Sequence, residues 1–209
     1  MCNDPAMPRA KTPLRQALEQ LREQRLHVVS DTLVADAARL SATELRKVLL
    51  TPLDRLVTHR DVLVVRLLFG KPTLVHRDLW PDVLALALSR GPWQMKFLSP
   101  QEERLLELVD AEGEVQMSNE LATRIDAAPK HLGKSLEARL LVLGRRVRVG
   151  RGGTERVFVS WWHWAFANGV APNPDEEAAR AAIESAADAI APGARLPWRR
   201  RPIRLRWGV

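Results

Sequence analysis

Between Ser99 and Ser160 the chain carries a run of helix starts, stops and one hairpin whose order leaves few ways to fold. Ser99, Pro100 and Glu102 supply an N-cap, a first-turn proline and a capping-box acid ahead of Leu105, Leu106, Leu108 and Val109, so a helix is predicted from about 100 to Asp110. Glu112 to Met117 offers a short extended segment, after which Ser118 caps a second, short helix with Leu121, Ala122 and Ile125 inward. Pro129 opens a third. In it Leu132, Leu136 and Leu140 repeat at i+4, while Lys130, His131, Lys134 and Arg139 lie largely elsewhere on the cylinder. Val142 to Val149 and Glu155 to Ser160 are rich in β-formers on either side of a Gly-Arg-Gly-Gly turn, which reads as a hairpin.

Helix, short strand, helix, helix and hairpin is the order of a winged helix-turn-helix, whose third helix enters the major groove and whose hairpin, the wing, lies along phosphate. The fold class expected is therefore mainly α with a small β-hairpin, the winged-helix domain spanning 98–168. Residues 1–26 read as an N-terminal arm and helix, with Leu14, Leu18 and Leu21 at helical spacing. Residues 27–97 read as a helical or winged-helix-like domain, which would make the units tandem. Three helices are expected there. One follows Ser41 and Glu44 and stops at Pro52, one covers VLVVRLLF after Thr58 and Asp61, and one starts near Asp78 with Pro81 in its first turn. Residues 169–209 hold an amphipathic helix, 174–190, with Ala178, Ala182, Ala186 and Ile190 on one face, then a tail rich in arginine, tryptophan and proline. Trp161, Trp162, Trp164 and Phe166 read as an aromatic segment sealing the core.

Charge favours a polyanionic partner. The net charge is +7, and six arginines among the last 15 residues, with no acid, leave only +1 on the other 194. Within that nearly neutral body, residues 139–156 carry +5. The groups expected on nucleic acid are Lys130, His131, Lys134 and Arg139 toward the groove, Arg145, Arg146, Arg148 and Arg151 toward phosphates, and Arg199, Arg200 and Arg201 from the tail. Truncation after Gly193 is expected to leave the melting temperature nearly unchanged and to weaken DNA binding at low salt about tenfold or more.

Signals for catalysis or cofactors are weak. Two His-Arg-Asp triplets, 59–61 and 76–78, match the opening of a kinase catalytic loop, but Arg66 and Val83 stand where that loop needs asparagine, so capping acids beside histidines is the better reading. The histidines at 27, 59, 76, 131 and 163 never stand at i+3 or i+4, and Cys2 is the single cysteine, which excludes an internal disulfide and a multi-cysteine zinc site. No cofactor and no metal is expected. No apolar run reaches the roughly 18 residues of a membrane span, and the opening lacks a leader's apolar core, so a cytoplasmic protein without a membrane partner is expected.

The segments LFGKPTLVHRDLWP (68–81), LGKSLEARLLVLGRRVRVGRGGTERVFVSWWHWA (132–165) and ARLPW (194–198) resemble winged-helix proteins related to the AlkZ/YcaQ family of crosslink-repair DNA glycosylases. The resemblance implies tandem winged-helix units and double-stranded DNA binding in repair or regulation. Glycosylases of that family carry a catalytic Gln-x-Gln, and the glutamines here, at 16, 20, 24, 94, 101 and 116, form none. A non-catalytic DNA-binding protein is the leading expectation. A divergent glycosylase acting on alkylated or crosslinked DNA and a protein interaction adaptor are the alternatives, with RNA or protein as the alternative partners; no catalytic residue is assigned.

Overall fold

The computed structural model describes residues 13–28, 57–149 and 153–199, which form a mainly helical protein with two small antiparallel sheets. Helix α1, Pro13–Gln24, leads into strand β1, Leu26–Val28. Leu21 is buried against Val62 and Leu74, so the expected amphipathic stripe docks on the first sheet. That sheet has the order β1-β3-β2, with β2 at Val62–Arg66 and β3 at Pro72–His76. The helix expected over VLVVRLLF is thus a strand followed by a turn. Val62, Val64 and Val65 favour a pleated surface, and Pro72–His76 lies close enough in sequence to pair with all five residues of β2. Asp61, expected as a capping acid, instead accepts from Arg77 Nη1 at 3.0 Å. The helix expected after Ser41 lies outside the described residues.

A 3-10 turn, Arg77–Leu79, precedes helix α2, Trp80–Leu88. Pro81 sits in the first turn as expected, but Asp78 is not the cap: His76 Nδ1 accepts from the Asp78 amide at 3.4 Å. His59 Nδ1 accepts from the Asp61 amide in the same way, at 3.2 Å, so the two His-Arg-Asp triplets are two histidine-closed turns. A single-turn helix, α3, follows at Pro92–Met95.

Helix α4, Pro100–Glu112, begins in the expected capping box, with Ser99 Oγ accepting from the Glu102 amide and the Glu102 carboxylate accepting from the Ser99 amide. Then come strand β4 at Glu114–Gln116, helix α5 at Asn119–Ile125 capped by Ser118, helix α6 at Pro129–Ala138, and strands β5, Leu143–Val149, and β6, Gly153–Val159. The second sheet has the order β4-β6-β5, so the short strand before α5 pairs with the return strand of the hairpin.

Strand β6 joins two cores because successive side chains leave opposite faces. Phe158 packs with Leu105, Val109, Ile125 and Leu136 of α4, α5 and α6, while Val157 and Val159 join Leu84, Leu86 and Trp80 of the first half. Helix α7, Trp161–Asn168, buries Trp161 and Trp164 in this shared core, but Trp162 and Phe166 are 65% and 92% exposed. Half of the expected aromatic seal therefore points outward, as a helical spacing of about 100° per residue requires.

Helix α8, Glu176–Ile190, starts at Asp175, whose carboxylate accepts from the Glu177 and Ala178 amides. Its buried face is Ala179, Ile183, Ala186 and Ala187, about one residue out of phase with the expected 178/182/186/190 stripe, because Ile183 sets the phase. Beyond it, Ala194 and Leu196 are fully buried, Phe69 N donates to Arg195 O at 2.8 Å, and Trp198 packs edge-on against Trp93. The tail through Arg199 is a packed element that ends in a 3-10 turn, Pro197–Arg199, and is no loose basic extension. No helix among the described residues is long and apolar enough to cross a membrane.

Candidate nucleic-acid interface

Helix α6 sits unusually close to the second sheet. A Cβ added at Gly133 would fall within the ring of Phe158, so only glycine lets the helix approach there. One turn later Glu137 takes the same direction and lies over Gly144 of β5, where a Cβ would collide with its carboxylate. Glu137 is 6% exposed and accepts from Arg156 Nη2 on β6 and, at 3.1 Å, from Arg66 Nε on β2. Arg66 also donates Nη1 to Gly70 O. One carboxylate thus ties α6 to the hairpin and to the first sheet. A buried carboxylate is stable only when its lone pairs are met, and here two guanidinium groups meet them.

The opposite edge of α6 is held by Glu102 of α4. Burial acts to raise the pKa of that carboxyl, but hydrogen bonds from the Ser135 hydroxyl and from the Ser99 amide and hydroxyl, with Arg139 nearby, outweigh it. The carboxyl is held below its ordinary value. Between these two anchors the outer surface of α6 is left to Lys130, His131 and Lys134, all exposed and without an ion pair among the described residues.

The hairpin arginines divide by register. Arg146 is opposite Arg156 and Gly144 opposite Phe158, and directly opposed residues share a face. Since Gly144 and Phe158 face α6, Arg146 and Arg156 do so as well. Arg145 is exposed and falls on the other face, with Val157 opposite it. Arg148 stands opposite Thr154 in the backbone ladder. Arg151, Arg200 and Arg201 lie outside the described residues.

Two of the expected contact residues have other partners. Arg139, just past the end of α6, donates Nη1 to the carbonyls of Gln94 and Lys96, at 2.9 and 2.8 Å, and Nη2 to that of Phe97 at 3.4 Å. It braces a loop instead of facing a groove. Arg199 donates to Glu184 at 2.7 Å and to Asp188 at 3.3 Å on α8, with Trp198 Nε1 also on Glu184. The Glu184 carboxyl is lowered chiefly by the Arg199 hydrogen bond, against the opposing effect of burial.

Arg66, Glu137 and Arg156 were missed as site residues by sequence reasoning. One signal was present: Glu137 is the sole acid in the run 129–140, three residues after Lys134 on the same side of the helix. Among the described residues no cluster of three or more His, Cys, Asp or Glu side chains is placed to hold a metal. No protein-family model, no curated protein and no solved structure matches the chain.

Proposed function

We propose that the protein is a non-catalytic DNA-binding protein whose residues 98–168 form a winged helix-turn-helix, with α6 as the groove-reading helix and β5–β6 as the wing. The element order α4-β4-α5-α6-β5-β6 and the central place of β6 in its sheet support the fold. The observation that carries the function is the cationic surface of α6 and the hairpin: Lys130 and Lys134 are exposed on α6 without an ion pair among the described residues, Arg146 and Arg156 leave the α6-facing side of the hairpin, and the one acid of α6, Glu137, is already held by Arg156 and Arg66. A face with that excess of cations attracts phosphate, and the groups are held by a rigid helix and a two-stranded ribbon, both of which fit a major groove. Lys130 and Lys134 would reach base edges or flanking phosphates from α6, and Arg146 and Arg156 the backbone.

Fluorescence anisotropy with a labelled blunt duplex, titrated with salt, tests this reading. Neutralising about four phosphates gives a slope of log K on log salt near −3.6. The double variant Lys130→Gln with Lys134→Gln should flatten the slope by about 1.8, whereas Arg15→Gln, a charge loss on exposed α1, should not change it. A wild-type slope near zero, or equal effects of the α6 and α1 variants, overturns the reading.

A further inference from the structure

The loop bearing Phe97 carries two costs at one residue. Its φ is +66°, in the left-handed region that bulky side chains avoid, and its ring is 79% exposed although burial of a phenylalanine is favourable. Such a conformation persists only where the surroundings over-determine it. Here they do. The guanidinium of Arg139 spans the carbonyls of Gln94, Lys96 and Phe97, and the buried amide of Gln94 returns a hydrogen bond to Arg139 O and another to Ala87 O, each at 3.2 Å. Gln94 Oε1 accepts in turn from the Gly91 amide at 2.9 Å. The loop is built to hold the ring out, and the Lys96 ammonium lies 4.9 Å from its centroid.

The position is as telling as the strain. Arg139 directly follows α6, five residues past Lys134 and so about 7.5 Å further along the helix axis. Glu102, at the start of the helix that the loop feeds, hydrogen-bonds Ser135 of α6. The loop therefore borders α6 on the edge away from the wing, beside the basic face described above.

We propose that Phe97 is a stacking platform for an unpaired base of the nucleic acid that lies on α6, with Lys96 serving the adjoining phosphate and Arg139 as the positioning residue. An exposed ring with an ammonium group over one face leaves its other face for base stacking, which tolerates any base because every base offers a π-face. In a continuous duplex those faces are covered by neighbouring pairs. The substrate class that fits is duplex DNA ending in, or interrupted by, a single-stranded stretch. The inference rests on the DNA-binding reading and adds the structure of the DNA to it.

The test compares the full-length protein on a blunt duplex and on the same duplex with a single-stranded overhang containing 2-aminopurine. Wild type should bind the overhang DNA more tightly and quench the 2-aminopurine. Phe97→Ala should remove the quenching and weaken the overhang complex about tenfold, with blunt-duplex affinity little changed, and Phe97→Trp should retain both properties. Phe97→Gly gives a readout that a packing role would not: glycine accepts the positive φ, so the variant should melt no lower than wild type while losing the quenching. Arg139→Gln should resemble Phe97→Ala on the overhang DNA. If wild type binds the blunt duplex with its salt slope but Phe97→Ala leaves overhang binding and quenching intact, this inference is overturned and the DNA-binding reading stands. If wild type binds neither DNA, both fall. Unchanged DNA binding with loss of self-association in sedimentation would assign Phe97 to a protein contact and also overturn the proposal.

Discussion

Shortening the chain after Gly193 is expected to cost far more stability than the arginine-rich composition of the tail suggests. Leu196 is 1% exposed and belongs to the core shared by the two sheets, with Trp80, Val157 and Ile183 in the same cluster. Leu196→Ala alone should cost about 2–4 kcal/mol, the transfer term plus the cavity left in that cluster. Against a total stability of about 5–15 kcal/mol this is a large fraction. In a domain of this size each kcal/mol moves the melting temperature by about 2–4 °C, so a fall of about 5–15 °C is expected. The truncation adds the loss of Ala194, of the Trp198 contact with Trp93, and of the Arg195 carbonyl that accepts from the Phe69 amide. Urea unfolding followed by tryptophan fluorescence checks both proteins. The midpoint of Leu196→Ala should fall with the slope unchanged, as it does when stability changes without a change in the surface exposed. A truncated protein with the wild-type midpoint would refute the packing of residues 194–199 and restore the expectation that the tail is dispensable for folding.

Glu137→Ala should destabilise by about 3 kcal/mol, because it strands Arg66 and Arg156 on a half-buried surface, and differential calorimetry reads it. Gly144→Ala forces a methyl group into the Glu137 carboxylate and should cost about 1–3 kcal/mol, although alanine is normally tolerated in a strand; a neutral result would mean that α6 shifts freely on the sheet. Glu102 gives a pH dependence. Its carboxyl is held low in the fold, so its contribution is present above the ordinary glutamate range and is lost as pH falls through the lowered value. Glu102→Gln should therefore be less stable than wild type at neutral pH, and the difference should shrink below about pH 4; a constant difference across the acid limb would contradict this.

Elements with strong punctuation were legible in the sequence. Ser99-Pro100 with Glu102, Ser118 and Pro129 each marked a helix start that the fold uses, since cap and first-turn chemistry is local and needs no knowledge of neighbours. Val62–Arg66 was not legible as a strand. Four apolar residues ahead of an arginine have no period to distinguish a buried strand from a buried helix, and the nearby Asp61 offered a cap that the fold does not use. The phase of α8 was misjudged for a related reason: its stripe is mostly alanine, and alanine is small enough to be buried or exposed at little cost, so the single Ile183 decided the orientation. Residues 194–199 were misread because their arginines and proline drew attention from Leu196 and Trp198, the residues that pack against the core.

Counting cations alone is a poor guide to where a phosphate would be attracted. An arginine matters to a polyanion through the field around it, which includes every acid that folding brings near. Arg199 faces both Glu184 and Asp188, and Arg180, which approaches Trp198, is itself paired with Glu176 at 3.0 Å, so the basic tail is neutralised where it meets α8. Arg90 with Asp110 and Arg124 with Glu112 are neutralised in the same manner. Exposed pairs of this kind contribute little to stability because solvent screens them, yet a phosphate entering there would meet carboxylates as well as guanidinium groups. On α6, by contrast, Lys130 and Lys134 are exposed and have no ion pair among the described residues. Lys130 and Lys134 follow from helical phase and were legible; Arg156 and Arg66 come from strands distant in sequence and meet only because Glu137 is buried between them. That carboxylate has a double effect: it ties α6 to the hairpin, and being shared by two arginines it leaves a net positive charge around it. Replacing it by glutamine therefore predicts a separation of effects that replacing a surface acid would not give. Glu137→Gln should raise the local charge and steepen the salt slope by up to about 0.9, the increment for one further phosphate, yet lower the thermal stability because Arg66 and Arg156 lose a charged acceptor. A variant in which stability falls while the salt slope stays at the wild-type value would show that Arg156 and Arg66 bind no phosphate, and would confine the interface to Lys130, Lys134 and Arg146.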